Sequence, residues 1–375
     1  MTKRLFAWIC VVLAFAILLS AMPGCGSKED QNLSVTTGVV KDEEFLNVYI
    51  DLTIDEFNAL GFAFGDSVDI AFDNGKSYED IPYYSGYYVP VGQMLLCGYP
   101  GYPHPVIARN YGESTWAEFE MTADSKVTVT LREKGKYAAT QELYSLSYYD
   151  ERERYDSDVM FANFREVKGG NLASGKFYRS ASPCDNQHNR ASYANALAEE
   201  YGIGFALNLS DNETKYADHV AQSDFTSVYY DTLFQNGKVL LLSMNANYRS
   251  DGFAAILSGA FLAMAEEDGP TLIHCVEGKD RTGFACALLL ALADATEQEI
   301  IDDYMITYAN YYRITKESDA RKYEAILVNV NDFIACLRNT DTETVSLKLG
   351  AELYLQRGGL TADQIAQIEA AITTE

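Results

Sequence analysis

A cysteine at 275 and an arginine at 281 stand with five residues between them in "HCVEGKDRTG" (274–283), where Lys279 and Asp280 precede the arginine and Thr282 follows it. These residue types at this spacing suit the capture of a phosphoryl group. Five intervening residues make a half-ring whose amides, Val276, Glu277, Gly278, Lys279, Asp280 and Arg281, can surround a tetrahedral anion. A thiol attacks only when ionised. A helix N-terminus, Lys279 and Arg281 all favour the thiolate, lowering a free pKa of about 8.5 by one to several units. The planar fork of Arg281 can hold two phosphoryl oxygens and brace the charge that moves in the transition state. Thr282 offers its hydroxyl to the sulfur once the leaving group departs. Gly278 gives the bend its conformational freedom, and Gly283 lets a helix start close by. By itself a cysteine–arginine pair at this spacing is common by chance, and most such cysteines are small buried residues. The further match of His274, Gly278, Lys279, Asp280, Thr282 and Gly283 reverses that weighting.

The loop needs a strand before it and a helix after it, and the pattern supplies both. "TLIH" (271–274) is a short apolar run consistent with a buried strand, and "FACALLLAL" (284–292) is apolar on nearly every face, as a buried helix should be. A strand, a tight loop and a helix N-terminus together make an anion site, because the first amides of a helix lack intrahelical partners. "FALNL" (205–209) reads as a second strand, with "SVYY" (227–230) and "VLLLS" (239–243) as weaker candidates. Phe253, Ile256, Leu257, Ala260, Phe261 and Met264 recur at helical spacing. Thr296 with Glu299, and Thr361 with Gln364, are capping-box pairs, so residues 295–375 read as largely helical. The expected class is α/β, a central sheet flanked by helices, spanning 151–375.

Residues 163–183, "NFREVKGGNLASGKFYRSASP", carry Asn-Phe-Arg and a later Tyr-Arg-Ser. With the loop, with "IGFALNLSDNET" (203–214) and with "DDYMITYANYY" (302–312), they resemble the bacterial tyrosine-phosphatase-like cysteine phosphatases, whose signature is H-C-x-x-G-K-D-R-T-G. The resemblance covers roughly 160–315 and implies a phosphatase α/β domain hydrolysing phosphomonoesters with no metal or other cofactor. It implies Cys275 as nucleophile, Arg281 as charge clamp and His274 as a residue that orients the loop. Two carboxylates remain open as general acid: Asp280, presented by the loop, and Asp211, in the acidic turn after a strand. The chain departs from the commoner family form at Glu166-Val167-Lys168, one residue longer, and at Asn208 and Ser210, where relatives carry Asp and Arg. Arg165 and Arg179 read as structural ion-pair residues.

Ahead of this lies a different texture. Residues 35–150 are rich in Tyr, Val, Thr and Gly, with alternating runs at "VDIAF" (68–72) and "SKVTVTLRE" (125–133), so a mostly-β domain, a small sandwich or barrel, is expected. "TIDEFNAL" (53–60) reads as one helix capped by Thr53 and Glu56. The charged run 148–158 reads as a connector. At the start, Lys3 and Arg4 precede an apolar run from Phe6 to Met22 and then Pro23-Gly24-Cys25, which reads as an export signal (1–24) of lipoprotein type with Cys25 lipidated and 25–34 as tether; an uncleaved membrane anchor is the alternative, since the run is just long enough to span.

The formal net charge is −25, and removing 1–24 takes two cations and no anions, leaving −27. That argues against nucleic acid as a partner and leaves the lipid anchor as the link to a membrane, with the chain extracytoplasmic. The five remaining cysteines have no C-x-x-C element for zinc. The expected activity is a phosphatase working through a cysteinyl-phosphate, on phosphotyrosine or aryl phosphates in proteins or small phosphomonoesters. Phosphoinositide or inositol-polyphosphate hydrolysis is the alternative. A catalytically silent surface-binding lipoprotein is the alternative from another class.

Overall fold

Period-two alternation closes the N-terminal strands on themselves. A computed structural model describes residues 33–90, 92–110, 114–338 and 344–373. The expected signal, Cys25 and most of the tether lie outside the described residues. Contacts divide the chain into two units, one ending at Lys134 and the other holding Gly135 onward together with Tyr84–Pro90.

The first unit is a closed barrel. Its strands are β1 (Ser34–Lys41), β2 (Val48–Ile50), β3 (Ser67–Phe72), β4 (Ser77–Tyr84), β5 (Met94–Cys97), β6 (Val106–Arg109) and β7 (Lys126–Glu133), in the order β1-β2-β6-β5-β4-β3-β7. Val127, Val129 and Leu131 of β7, and Val68, Ile70 and Phe72 of β3, are buried on alternate positions. Helix α1 (Ile54–Ala59) carries the expected capping box of Thr53 and Glu56 and sends Phe57 into the core, stacked on Phe62 at 4.3 Å. A single turn, α2 (Thr115–Glu118), completes the unit.

In the second unit come α3 (Ala138–Tyr144), α4 (Asp158–Phe161), β8 (Arg165–Glu166), β9 (Phe177–Ser180), α5 (Ala191–Glu200), β10 (Phe205–Asn208), α6 (Glu213–Val220), α7 (Val228–Gln235), β11 (Val239–Leu241), α8 (Asp251–Met264), β12 (Thr271–His274), α9 (Asp280–Leu292), α10 (Glu297–Tyr312), α11 (Ala320–Arg338), α12 (Leu347–Arg357) and α13 (Ala362–Ile372). The sheet order is β11-β10-β12-β9-β8, parallel except for the β8–β9 pair. Neighbouring residues on each strand serve opposite faces. Phe177, Phe205, Leu207 and Ile273 join the core under α8 to α13, whereas Tyr178, Ala206 and Leu272 join the core under α5 and α7. Eleven of the 13 residues of α9 are buried, which explains its unbroken apolarity. No helix among the described residues is long and apolar enough to cross a membrane.

"SVYY", a weak strand candidate, is the start of α7 instead. Val228, Tyr229 and Tyr230, β-branched and aromatic, suit either state. The deciding contacts are tertiary: Tyr230 is fully buried and Tyr229 donates to the Ile203 carbonyl. The run 148–158 differs from a simple connector too, since Tyr148 and Tyr155 pack with Phe161 and Tyr311 in the second unit.

Candidate active site

Strand β12 ends at His274 and α9 begins at Asp280, so residues 275–279 form the loop between them. Nearly every carbonyl of this loop is taken from behind. His274 O accepts from Leu209 N at 2.9 Å, Val276 O from Ser182 N at 2.9 Å, and Glu277 O from Tyr311 Oη at 2.8 Å. Gly278 O accepts from Arg179 Nη2 at 2.8 Å and Asn163 Nδ2 at 3.2 Å, and Lys279 O from Gly283 N at 2.8 Å. The amides of Val276 to Arg281 donate to no protein group among the described residues. A peptide whose carbonyl points one way presents its N–H the other way, so the ring of amides is left for an anion. Gly278 makes this possible. Its φ is +65°, and a Cβ there would meet Ser180 O at 2.1 Å.

The donors behind the loop are themselves fixed. Arg179 is fully buried and ion-paired with Asp303, and Arg165 reaches the same carboxylate at 3.2 Å. Asn163 uses its whole amide: Nδ2 donates to Gly278 O and to Thr307 Oγ1 at 3.1 Å, while Oδ1 accepts from Arg165 Nη1 at 2.6 Å and Asn310 Nδ2 at 3.0 Å. Burial alone would raise the Asp303 carboxyl, but Arg179 and Arg165 outweigh it and hold it below the usual carboxylate range.

On the anion side the structure gathers Cys275, Asp280, Arg281 and Thr282 at one loop–helix junction. Cys275 is 3 % exposed. Arg281 donates from Nη1 to Met244 O at 3.1 Å, which orients the guanidinium from the β11–α8 loop. Thr282 Oγ1 is buried with no hydrogen-bond partner among the described residues, an unspent donor beside the loop. The Asp280 side chain is 59 % exposed, with Tyr304 Oη donating at 3.4 Å and Lys279 Nζ at 3.9 Å. Surrounding protein raises the Asp280 carboxyl while Lys279 pulls it down, and its openness to solvent screens both effects. Lys279 sits closer to Glu277, at 2.9 Å.

Asp211 stands apart. Its side chain is 3 % exposed and accepts from Asn208 Nδ2 at 2.8 Å and Cys184 Sγ at 3.5 Å, with His219 Nε2 at 3.6 Å. Asn208 and Ser210, the departures from the family form, explain this seat. Asn208 Oδ1 accepts from Ser210 N, Ser210 Oγ and Asp211 N at 3.0, 3.0 and 3.1 Å, a self-contained turn that aims the Asp211 carboxylate inward. Backbone bonds from Ser243 N to Asp211 O and from Met244 N to Leu209 O make that turn a support for Met244, and so for Arg281.

His274 is buried under the loop. Burial, with repulsion from Arg281, lowers its pKa from 6.5 to about 4 against a smaller opposing pull from Asp211. Tyr230, its phenol pushed well up by burial, donates to Nε2 at 2.6 Å, so Nδ1 carries the proton and faces Cys275 O at 3.4 Å. Three supporting residues escaped the sequence reading. Asp303 lies in "DDYMITYANYY" and Asn163 in the Asn-Phe-Arg triplet, stretches already singled out, and Tyr148 bore no signal at all.

The profile of the tyrosine phosphatase family matches residues 160–374. A tyrosine-protein phosphatase of Nostoc commune is 44% identical over 57 residues, 15% of this chain and 19% of that protein, so the chain matches less than a quarter of that relative's length. Among solved structures, P. aeruginosa TpbA is 17% identical over 43% of this chain and 84% of that one, with a TM-score of 0.26. The core catalytic domain of the S. cerevisiae PP-IP phosphatase SIW14 is 20% identical over 44% of this chain and 88% of its own, also at 0.26.

Two outcomes follow from the buried groups. Asp303→Asn leaves two arginines facing a neutral amide. It should destabilise the protein by about 3–5 kcal/mol in urea unfolding, with the anion loop lost alongside. The His274 folded pKa lies below the unfolded one, so the unfolded state binds more protons between them. Stability should be full above about pH 6.5 and fall, by on the order of 3 kcal/mol, as pH drops to about 4. His274→Gln should flatten that part of the curve.

Proposed function

Because the chain belongs to the tyrosine phosphatase family, we propose that it hydrolyses phosphomonoesters without a metal ion, through a cysteinyl-phosphate, with phosphotyrosine and related aryl phosphates as substrates. The observation that carries this reading is the loop, whose bonded carbonyls leave a ring of amides over Cys275 and beside Arg281. The Cys275 thiolate attacks phosphorus in line. An S–P bond forms, the ester P–O bond breaks, and Asp280 gives its proton to the departing oxygen. A water then attacks the same phosphorus, passes a proton to the Asp280 carboxylate, and releases phosphate and the thiolate. Amides and Arg281 hold the phosphoryl oxygens through both steps, and Thr282 Oγ1 stabilises the sulfur as it leaves. Asp280 is favoured over Asp211 as the acid because it is open to solvent at the loop, whereas the Asp211 carboxylate is enclosed and engaged.

Substrate class follows from charge. An inositol polyphosphate needs several convergent free cations, and apart from Lys215 and Lys316, which form no ion pair among the described residues, the nearby supply is already committed. Lys279 is held by Glu277 at 2.9 Å, Arg313 by Asp156 at 3.0 Å, Lys322 by Asp319 at 3.5 Å, and Arg321 by Glu142. One monoester fits better than a polyanion. The export-type segment supports an extracytoplasmic enzyme held to a membrane by lipid on Cys25.

Cys275→Ser should lower hydrolysis of phosphotyrosine at least about 10³-fold, and EDTA should leave the wild type unaffected. Asp280→Asn should cost about 10²–10⁴-fold and remove the basic limb of the pH–rate profile, which Asp211→Asn should retain. Inositol phosphates turned over faster than phosphotyrosine in the same assay would replace the aryl reading. Globomycin treatment of expressing cells should leave the unprocessed chain, detected by mass, if Cys25 is lipidated.

A further inference from the structure

The family match begins at residue 160, yet a side chain from before it reaches the catalytic loop. Tyr148 Oη donates to Glu277 Oε1 at 2.7 Å. Its ring is stacked on Tyr311 with centroids 5.1 Å apart, and the Arg190 guanidinium lies over it at 4.7 Å. Glu277 in turn holds Lys279 at 2.9 Å, and Lys279 stands 3.9 Å from Asp280. One hydrogen bond, one ion pair and one longer charge contact thus join a residue outside the phosphatase core to the carboxyl assigned as general acid.

The support under Tyr148 is built. Helix α3, four residues upstream, is gripped by the Tyr84–Pro90 strap: Ser85 N donates to Gln141 Oε1 at 2.9 Å and Gln141 Nε2 to Ser85 Oγ at 2.7 Å. Tyr88 stacks on Tyr144 at 4.1 Å with the rings within 2° of parallel. On the far side of the Tyr148 hydroxyl, His188 Nε2 lies at 3.2 Å, with its Nδ1 at 3.2 Å from Asp150. A tyrosine held at its ring by Tyr311 and Arg190 and at its hydroxyl by Glu277 has one position, and so does the carboxylate it touches.

We propose that Tyr148 is a positioning residue of this active site: it fixes Glu277, Glu277 holds Lys279, and Lys279 is thereby kept from closing on Asp280. This rests on the functional reading above, with Asp280 as the acid. The charge argument has a sign. An ammonium moved from Glu277 onto Asp280 favours the carboxylate and lowers its pKa. A general acid must be protonated, so the basic limb of kcat/KM then moves to lower pH. The other groups facing Asp280 are Glu277, whose own charge raises the carboxyl, Arg281 on its own helix, Tyr304 and Tyr308 from α10, and Tyr144 from α3. Of these only Glu277 is changed in the variants below, and Tyr148→Phe leaves its charge in place, so that variant isolates the movement of Lys279.

The experiment compares full-length wild type, Tyr148→Phe, Glu277→Gln and the double variant on an aryl phosphate across pH, with unfolding measured on each. Tyr148→Phe keeps the ring stack. We expect kcat/KM near neutral pH to fall about 5- to 10-fold in each single variant, with the basic limb displaced to lower pH. The double variant should be no worse than Glu277→Gln alone. Losses that multiply in the double variant, or an unmoved limb in Tyr148→Phe, overturn the proposal. The Asp280 carboxyl titration, followed by carbon-13 NMR in the same proteins, reads the same displacement without substrate. A wild type inactive on aryl phosphates would therefore sink the functional reading, while the titration still decides this one.

Discussion

A loop can turn its amides toward an anion only if its carbonyls are satisfied on the opposite side, and that constraint organises the second unit. A buried carbonyl without a donor costs about 1–3 kcal/mol, and here consecutive ones must be met within a few ångströms. Parallel pairing puts β9 and β10 on either side of β12. Donors then arrive from both neighbours: Ser182 and Arg179 from the β9 side, Leu209 from the β10 side. The third direction is closed by α10, through Tyr311. Sheet order, the length of β12 and the placement of α10 are all conditions on one small ring of amides.

The arginine–aspartate cluster behind Gly278 fits this better than it fits stability. Removing two guanidinium groups and a carboxylate from water is costly, and apolar replacements of similar volume often fold as well or better. Arg179 Nε has no partner among the described residues, so the cluster is not even fully satisfied. What it supplies is a fixed, charge-strengthened donor for the Gly278 carbonyl. Asn163 repeats the pattern. Apart from the bond it accepts from Asn310, its side-chain bonds join it to the loop, to Arg165, or to Thr307, which itself accepts from Arg165.

How much could be read beforehand depends on the range of each interaction. The strand "TLIH", the buried helix after it and the capping boxes at Thr53, Thr296 and Thr361 are local signals, and the structure carries all of them. The mostly-β character of the first unit was equally local, since alternation at Val127, Val129 and Leu131 needs no partner to be visible. "SVYY" failed because four residues suit either state until Tyr230 finds its hydrogen bonds and its core. In the sequence Asp280 stands ahead of Asp211 as acid candidate only because the loop itself presents it. Spacing cannot tell an open carboxylate from one turned inward by Asn208. Tyr148 was invisible because its partner lies 129 residues away and nothing in "YYDERERYD" marks one tyrosine from the next.

A chain of net charge −25 proposed to act on phosphomonoesters presents an apparent conflict. Distance resolves it. At physiological ionic strength exposed charges are screened over about 8 Å, so most of the carboxylates are silent at Cys275. Around the loop, Glu277 and Asp280 with Lys279 leave one negative charge and Asp303 with Arg165 and Arg179 leave one positive charge, so the two sets offset each other. Arg281 answers to a carbonyl and to no carboxylate among the described residues, so its charge is not already spent. Neutral amide dipoles add to it without being screened or titrated. The acidic exterior still acts at long range in dilute salt, where it slows the approach of a polyanion more than that of a single phosphate.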